Sequence, residues 1–379
     1  MPKFWRLLLI LPVLVAGSRA QTEDHPMLEL GSPAPDFSLT GVDGRTYTLR
    51  DFQDARILAV IFTCNHCPTA QAYERRIVAL VNDYSPKGVG FVAINPNHAE
   101  SVRLDELGYT DLDDTFESMK IRSADHQFNF PYLDDGPTET VARKFGPVAT
   151  PHVFIFDSSR RLRYRGRIDD SEREDVAKTH DAKNALEALL AGNQPPVTET
   201  KVFGCSIKWA EKEESNRQWR EKVRGEPVSI ESADAAALQD LRTGNSGKVR
   251  LVNVWATWCG PCVSEFDDLI ETNLRFRHRD FELVTIAAQF PDEKEKVLAF
   301  LRKHHASTRN LIFANGDKYK LMEAIDPGWE GALPHTLVLG PHGEVLFRQT
   351  GELDFLKIRR VIVPALNNLA PWGGLGPVK

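Results

Sequence analysis

The chain has 379 residues, with 47 Lys and Arg against 53 Asp and Glu, giving a formal net charge of −6. An acidic balance without basic clusters argues against a nucleic-acid partner or direct binding to an anionic membrane. The length exceeds one ordinary core and implies two domains, each large enough to bury its own apolar residues.

The chain opens with Lys3 and Arg6, an apolar stretch from Leu7 to Gly17, and then Ser18-Arg19-Ala20. This is the pattern of a secretory signal over 1–20, cut after Ala20, and it predicts a periplasmic or secreted protein. A spanning helix needs about 20 apolar residues, so a permanent anchor is the weaker alternative. Removal of three basic residues and no acidic one would leave a mature chain of net charge about −9.

The first domain is expected over 27–200. Gly31 to Leu39 and Gly44 to Leu49 suggest short strands joined by the turn Asp43-Gly44. Ile57 to Phe62 is a continuous apolar run ending in Thr63-Cys64-Asn65-His66-Cys67-Pro68. Helical spacing follows from Tyr73 to Val81, and Val89 to Ile94 suits a buried strand. Asn95 to Asn129 is polar and irregular. Its acidic residues Asp111, Asp113 and Asp114 lack the Gly and distal Glu of a calcium loop and suit a helix start. A short strand at Tyr132, a turn at Asp135-Gly136 and a helix through Phe145 lead to Ala149-Thr150-Pro151-His152 and a strand pair.

A helical linker is expected over 201–226, including a charged stretch from Trp209 to Val223. Cys205 lies in it, outside both repeats. Two readings stand: an inert thiol packed with Phe203 and Ile207, or a third redox cysteine resolving a mixed disulfide at Cys64 or Cys67.

The second domain is expected over 227–379. The apolar run Leu251 to Ala256 suits a strand covered on both faces, and it passes through Trp258 into Cys259-Gly260-Pro261-Cys262 and a helical pattern. Cys259 then sits at the positive end of a helix, which favours thiolate, with Cys262 one turn on and within disulfide reach. This is a thiol–disulfide exchange site; half of a zinc site is the alternative, although zinc pairs usually sit on turns with a second pair nearby. Strands at Phe281 to Ala288 and Leu311 to Ala314 alternate with helices at Asp292 to His305 and Tyr319 to Ile325, and Leu353 to Leu366 forms the last helix. Trp329, in the loop before Pro334, suits either the floor of a substrate groove or plain packing.

Ala332-Leu333-Pro334-His335 and the strand pair after it align with Ala149-Thr150-Pro151-His152 and its strands. Each passage follows its own CxxC at a similar distance, so one whole domain occurs twice. Five cysteines as two CxxC pairs and one extra suit redox chemistry in an oxidising compartment better than a disulfide framework.

The Trp-Cys-Gly-Pro-Cys stretch after a strand resembles the thioredoxin family. Trp255, Trp258, Cys259, Pro261, Cys262 and Glu265 make the second domain similar to the TlpA-like branch. The first domain resembles the redoxin or peroxiredoxin-like branch in Gly31 to Leu39 and in Phe203 to Trp209. The resemblance implies an α/β fold of two tandem thioredoxin-like domains, each a central mixed β-sheet flanked by helices. It also places a cis-proline opposite each CxxC, at Pro151 and Pro334, so that the carbonyls of Thr150 and Leu333 can accept from a substrate strand.

Where thioredoxins keep a buried Asp, this chain has Asn253 and Leu58, so the base for the buried thiol must be another group, Glu265 or water. The peroxide-pocket pattern P-x-x-x-T-x-x-C is not met around Cys64, which favours disulfide exchange in the first domain too. A protonated His66 would support Cys64 as thiolate and make the first pair the more oxidising.

The expected function is a secreted thiol–disulfide oxidoreductase. Cys64 and Cys259 attack, Cys67 and Cys262 resolve, and Thr150, Pro151, Leu333, Pro334 and Trp258 contact substrate, with His66, Glu265 and Cys205 in support. No cofactor is expected beyond the redox-active disulfides. The resemblance implies protein thiols and disulfides as partners, including apocytochrome c, with a membrane thiol reductant as electron source. Thiol peroxidase activity in the first domain and a copper- or zinc-binding redox chaperone are the alternatives.

Overall fold

The computed structural model describes residues 25–369. The expected signal segment over 1–20 lies outside the described residues. The first half contains β1 (Ser38–Gly41), β2 (Thr46–Thr48), β3 (Ile57–Phe62), α1 (Pro68–Tyr84), β4 (Val89–Asn95) and α2 (Phe116–Asp125). It continues through β5 (Tyr132–Asp134), α3 (Ala142–Phe145), β6 (Ala149–Thr150), β7 (His152–Phe156), β8 (Leu162–Gly166) and α4 (Asp181–Leu190). Next come β9 (Cys205–Ser206) and α5 (Glu213–Arg224).

The second half contains β10 (Glu231–Ala233), α6 (Ala235–Thr243), β11 (Val249–Trp255), α7 (Gly260–Ser264), α8 (Phe266–Phe276) and β12 (Phe281–Ala287). It ends with α9 (Lys294–Lys303), β13 (Arg309–Phe313), α10 (Lys318–Ile325), β14 (His335–Leu339), β15 (Val345–Thr350) and α11 (Phe355–Leu369).

The halves share one sheet plan, as the repeat implies. The first sheet has the order β2-β1-β5-β4-β3-β7-β8 and the second β10-β13-β12-β11-β14-β15. In each, the central strand runs parallel to the strand that follows it and antiparallel to the strand after the X–Pro bond, β3 with β4 and β7, β11 with β12 and β14. Helices cover both faces, so β3 buries all six residues of its apolar run. Each half has an apolar cluster on either side of its sheet. Both CxxC pairs therefore follow a central strand buried along its last five residues, which fixes where each pair emerges.

Three departures from the sequence expectations have local causes. The helix after Cys259 is broken at Glu265 into α7 and α8, because Glu265 relaxes to φ −95° and ψ −2°. α4, α6 and β10 were not foreseen, and β10 is only three residues long. The segment expected as a helical linker is not a plain spacer. Its start pairs with β6 through β9, and α5 packs back on the first half, where the Asn216 amide donates to the Val102 carbonyl (3.2 Å).

The halves meet through the irregular segment between β4 and α2. Val102, Leu104 and Leu107 pack with Val223 and Leu274. Arg279 donates to the Gly108 carbonyl (2.9 Å) and Arg359 to the Asp111 carbonyl (2.8 Å). Arg360 pairs with Asp111 at 3.1 Å and also with Asp125. No helix among the described residues is long and apolar enough to cross a membrane.

Candidate active sites

At the end of β11 the chain turns through Ala256 and Thr257 to Trp258, which is 66% exposed, and then to Cys259 at the cap of α7. Cys259 Sγ accepts from the Cys262 backbone N–H at 3.3 Å, and the two cysteines are joined in a disulfide. The free N–H groups of a helix start stabilise charge on the capping sulfur. Leu333–Pro334 is cis and leads directly into β14 beside β11. Trp329 is buried rather than presented to solvent. It stacks on His335 with ring centroids 4.8 Å apart and donates to the Ala332 carbonyl, so it ties down the loop before Pro334.

Two polar groups lie buried near this pair in sequence. Asn253, on β11, donates its amide to Thr336 Oγ1 at 2.9 Å. Glu265, three residues past Cys262, accepts from the Leu353 N–H at 3.1 Å, while its other oxygen has no partner among the described residues. Burial is the main cause that pushes its carboxyl up to about 7. An amide cannot take a proton, whereas a carboxyl titrating near neutrality can exchange one.

The first site is built differently. Pro68 directly follows the second cysteine, and proline fits the first turn of a helix, so α1 starts at Pro68 and its cap is Cys67. The Ala70 N–H points at Cys67 Sγ (3.4 Å), while Cys64 sits in the turn before, 3.0 Å from Thr150 Oγ1. Both sulfurs are buried. Burial raises both thiols, but for Cys67 it is outweighed by hydrogen bonds from Cys205 and Cys64, the Ala70 N–H and the charge of His66, which together hold it well below the ordinary thiol range. Burial and the hydrogen bond given to Cys67 push Cys64 well above it. The geometry therefore puts the negative charge on Cys67. The charge of His66 acts on that sulfur.

His66 is held by a residue that sequence reasoning had read only as part of a helix start. Asp114 Oδ1 accepts from the backbone N–H groups of Asn65 (2.8 Å) and His66 (3.0 Å). Its Oδ2 takes His66 Nδ1 at 2.5 Å and the Asn97 amide at 2.7 Å. The helix start does follow at once, with Thr115 capping α2. Burial opposes charge on both partners, but the pair's mutual attraction raises the His66 imidazolium and lowers the Asp114 carboxyl. No sequence signal singled out Asp114 from its acidic neighbours.

Ligand atoms of Cys64, His66 and Asp114 lie within 4.8 Å of one another, a spacing that could hold a metal ion. The donors are already engaged: Cys64 with Thr150, and Asp114 with four donors. His66 Nε2 has no partner among the described residues. A metal would have to break this network.

Thr150–Pro151 is also cis, and Thr150 faces both sulfurs of its site. As a thiol, Cys67 donates to the Thr150 carbonyl at 3.3 Å. Cys205 is brought here as well. Its N–H lies 3.3 Å from Cys67 Sγ, and it packs against Cys64, Cys67 and Ala70.

Two mixed sheets of seven and six strands on one plan, each flanked by helices and each with an X–Pro turn beside the CxxC-bearing strand, define a tandem thioredoxin-like protein. The AhpC/TSA family matches residues 30–165 and the Redoxin family residues 227–361, both of thioredoxin type. Over 141 residues the chain is 30% identical to thiol:disulfide interchange protein CycY of Rhizobium leguminosarum bv. viciae, covering 37% of this chain and 69% of that protein. Over 148 residues it is 32% identical to thiol:disulfide interchange protein HelX of Rhodobacter capsulatus, covering 39% and 75%. A solved structure of an uncharacterized conserved protein from Geobacillus kaustophilus is 39% identical over 48% of this chain and 93% of that one, with a TM-score of 0.43. The chain belongs to the thioredoxin-like family of thiol:disulfide interchange proteins, and its activity is that of a thiol–disulfide oxidoreductase.

Proposed function

We propose that this oxidoreductase works in the periplasm or outside the cell and exchanges disulfides with protein partners through both CxxC sites. The observation that carries the reading is the Cys259–Cys262 bridge at a helix cap beside the exposed Trp258. A membrane thiol reductant reduces that bridge. Cys259 thiolate then attacks a partner disulfide, one partner sulfur leaves as thiolate, and a mixed disulfide forms. Cys262 attacks Cys259 Sγ, the partner leaves as a dithiol, and the bridge is restored. Glu265 exchanges the proton of Cys262.

Trp258, Leu333 and Pro334 line the approach for a partner strand, as Thr150 and Pro151 do in the first half. In that half Cys67 is the attacking thiolate and Cys64 resolves. Partners are protein thiols and disulfides, apocytochrome c among them, and no cofactor is needed beyond the cysteine pairs. The names of CycY and HelX, both thiol:disulfide interchange proteins, support the reading.

Trapping tests it. The chain with Cys262→Ser should hold a partner covalently at Cys259, and the chain with Cys64→Ser should hold one at Cys67 or bridge Cys67 internally. Absence of any adduct or bridge at both sites, identified by mass spectrometry, would refute it. A metal-carrying first site has one observation in its favour, the Cys64, His66 and Asp114 spacing. Tight zinc or copper(I) binding lost on His66→Ala, together with failure of the first pair to form a disulfide, would favour it instead.

A further inference from the structure

The face of the first site where a partner strand would lie is already filled by the chain itself. β9 runs antiparallel to β6, with Thr150 opposite Cys205 and Ala149 opposite Ser206. β6 is the two-residue strand that ends at the cis Thr150–Pro151 bond. Backbone pairing of this kind is how an extended peptide docks on a free strand edge, with side chains at alternate positions read by the site. In the second half the matching residues, Ala332 and Leu333, carry no strand partner among the described residues.

The pairing places a sulfur where a substrate's sulfur would be. The Cys205 N–H is 3.3 Å from Cys67 Sγ, and Cys205 joins Cys64, Cys67 and Ala70 in one apolar cluster. The approach depends on glycine. Gly204 has φ +137°, and a Cβ there would fall 2.0 Å from the Thr150 carbonyl oxygen and 2.9 Å from its carbon.

Both ends of the segment are fastened. Phe203 lies against Tyr73, with ring centroids 6.3 Å apart. The Lys208 N–H donates to Asn97 Oδ1 (2.9 Å), the Lys208 carbonyl accepts from His98 (2.9 Å), and its ammonium pairs with Glu106. A passing linker would not need a glycine at the contact and an anchor on either side.

We propose that Phe203 to Lys208 is a built-in substrate strand, and that Cys205 is a third redox cysteine which exchanges disulfides with Cys67. The idea rests on the first pair cycling as set out under Proposed function. Starting from the Cys64–Cys67 disulfide, Cys205 loses its proton and its thiolate attacks Cys67 Sγ. The Cys67–Cys205 bond forms, and the Cys64–Cys67 bond breaks with the electron pair leaving on Cys64, which takes up a proton. One disulfide is exchanged for another, and no outside oxidant or reductant is consumed.

The consequence is a first site that stores its disulfide under its own strand and admits a partner strand only when that segment lifts. Among the described residues the second site has no such cover. The two halves therefore differ in access as well as in the cysteine that carries the charge.

The test uses the full mature chain equilibrated in glutathione redox buffers, acid-quenched, alkylated and mapped by mass spectrometry. Wild type should yield both Cys64–Cys67 and Cys67–Cys205 linked peptides. Cys64→Ser, oxidised by glutathione disulfide, should give Cys67–Cys205 as its main oxidised form. Gly204→Val should abolish that link and raise the rate at which a bulky maleimide labels Cys67 at least tenfold. Far-UV circular dichroism and a wild-type urea unfolding profile in every variant report that the first half is folded, and should Gly204→Val fail to fold, Cys64→Ser still decides.

If Cys64–Cys67 cycles normally while no Cys67–Cys205 peptide appears in wild type or Cys64→Ser, the internal strand proposal is overturned and the exchange reading survives. If the first pair forms no disulfide of either kind, both fall.

Discussion

Asp114→Asn tests the electrostatic account of the first site at its most buried point. Asp114 is almost fully buried and accepts four hydrogen bonds, two from backbone and two from side chains. The amide keeps one acceptor oxygen for the Asn65 and His66 N–H groups, but its NH2 must face His66 Nδ1 and the Asn97 amide. His66 then loses the charge that holds its proton, and Nδ1 can only accept. Breaking a buried pair by removing one charge costs about 3–5 kcal/mol.

The sign with pH follows from the two shifts. Asp114 is lowered, so its contribution is present above about 3.8, its ordinary value, and is lost as pH falls through its folded value. His66 is raised, so its contribution is complete below 6.5 and is lost as pH rises through its folded value. The deficit of the variant should therefore be largest in the window between these two ordinary values and shrink above the folded His66 value. Urea unfolding followed by far-UV circular dichroism at several pH values measures it. Labelling of Cys67 against pH gives a second readout, with its midpoint moving up by about one unit when the neighbouring imidazolium is lost. A stability change under about 0.5 kcal/mol at every pH, with an unaltered labelling midpoint, would refute the reasoning.

Glu265→Gln should flatten a pH dependence in the second half. The carboxyl of Glu265 is raised to about 7, so wild-type stability should fall as pH rises from 4.5 to about 7, and the Gln variant should lose that slope in urea unfolding at graded pH. Disulfide reduction by the variant should also lose its inflection near neutrality. Trp258→Ala, at a side chain 66% exposed, should change stability by no more than about 0.5 kcal/mol while raising KM for a protein disulfide several-fold. Leu274→Ala empties part of the apolar contact between the halves and should cost about 2–4 kcal/mol, splitting a shared unfolding transition into two in calorimetry.

The sheet strands were legible because burial on both faces leaves an uninterrupted apolar run. Ile57 to Phe62 forms β3 over the expected span, and the run around Leu251 forms β11. The duplication was legible because Pro151 and Pro334 each precede His and an apolar strand, and β7 and β14 occupy matching places in the two sheets. What the sequence hid were contacts between distant segments. Asp114 reaches His66 across 48 positions, and Cys205 reaches Cys67 across 138. Neither carries a local pattern, since a lone acid or thiol in an irregular stretch has the same sequence appearance whether it faces solvent or a buried partner. The exposed Trp258 and the buried Trp329 make the same point, because both follow turn residues and only the folded loop separates their roles.

The position of one proline relative to each cysteine pair accounts for the main asymmetry between the halves. In Cys259-Gly260-Pro261-Cys262 the proline lies between the thiols, α7 begins at Gly260, and the first cysteine caps it. In Cys64-Asn65-His66-Cys67-Pro68 the proline lies after them, α1 begins at Pro68, and the cap passes to the second cysteine. The helix field moves with the cap, so the sulfur that it stabilises changes from the first of the pair to the second. Asn65 and His66 are thereby left in a turn outside the helix with unsatisfied N–H groups, and Asp114 supplies the acceptor that both need. The same shift turns Cys67 toward Thr150 and Cys205. A duplicated fold thus acquires two chemically different thiol sites through the placement of a residue that has no redox chemistry of its own.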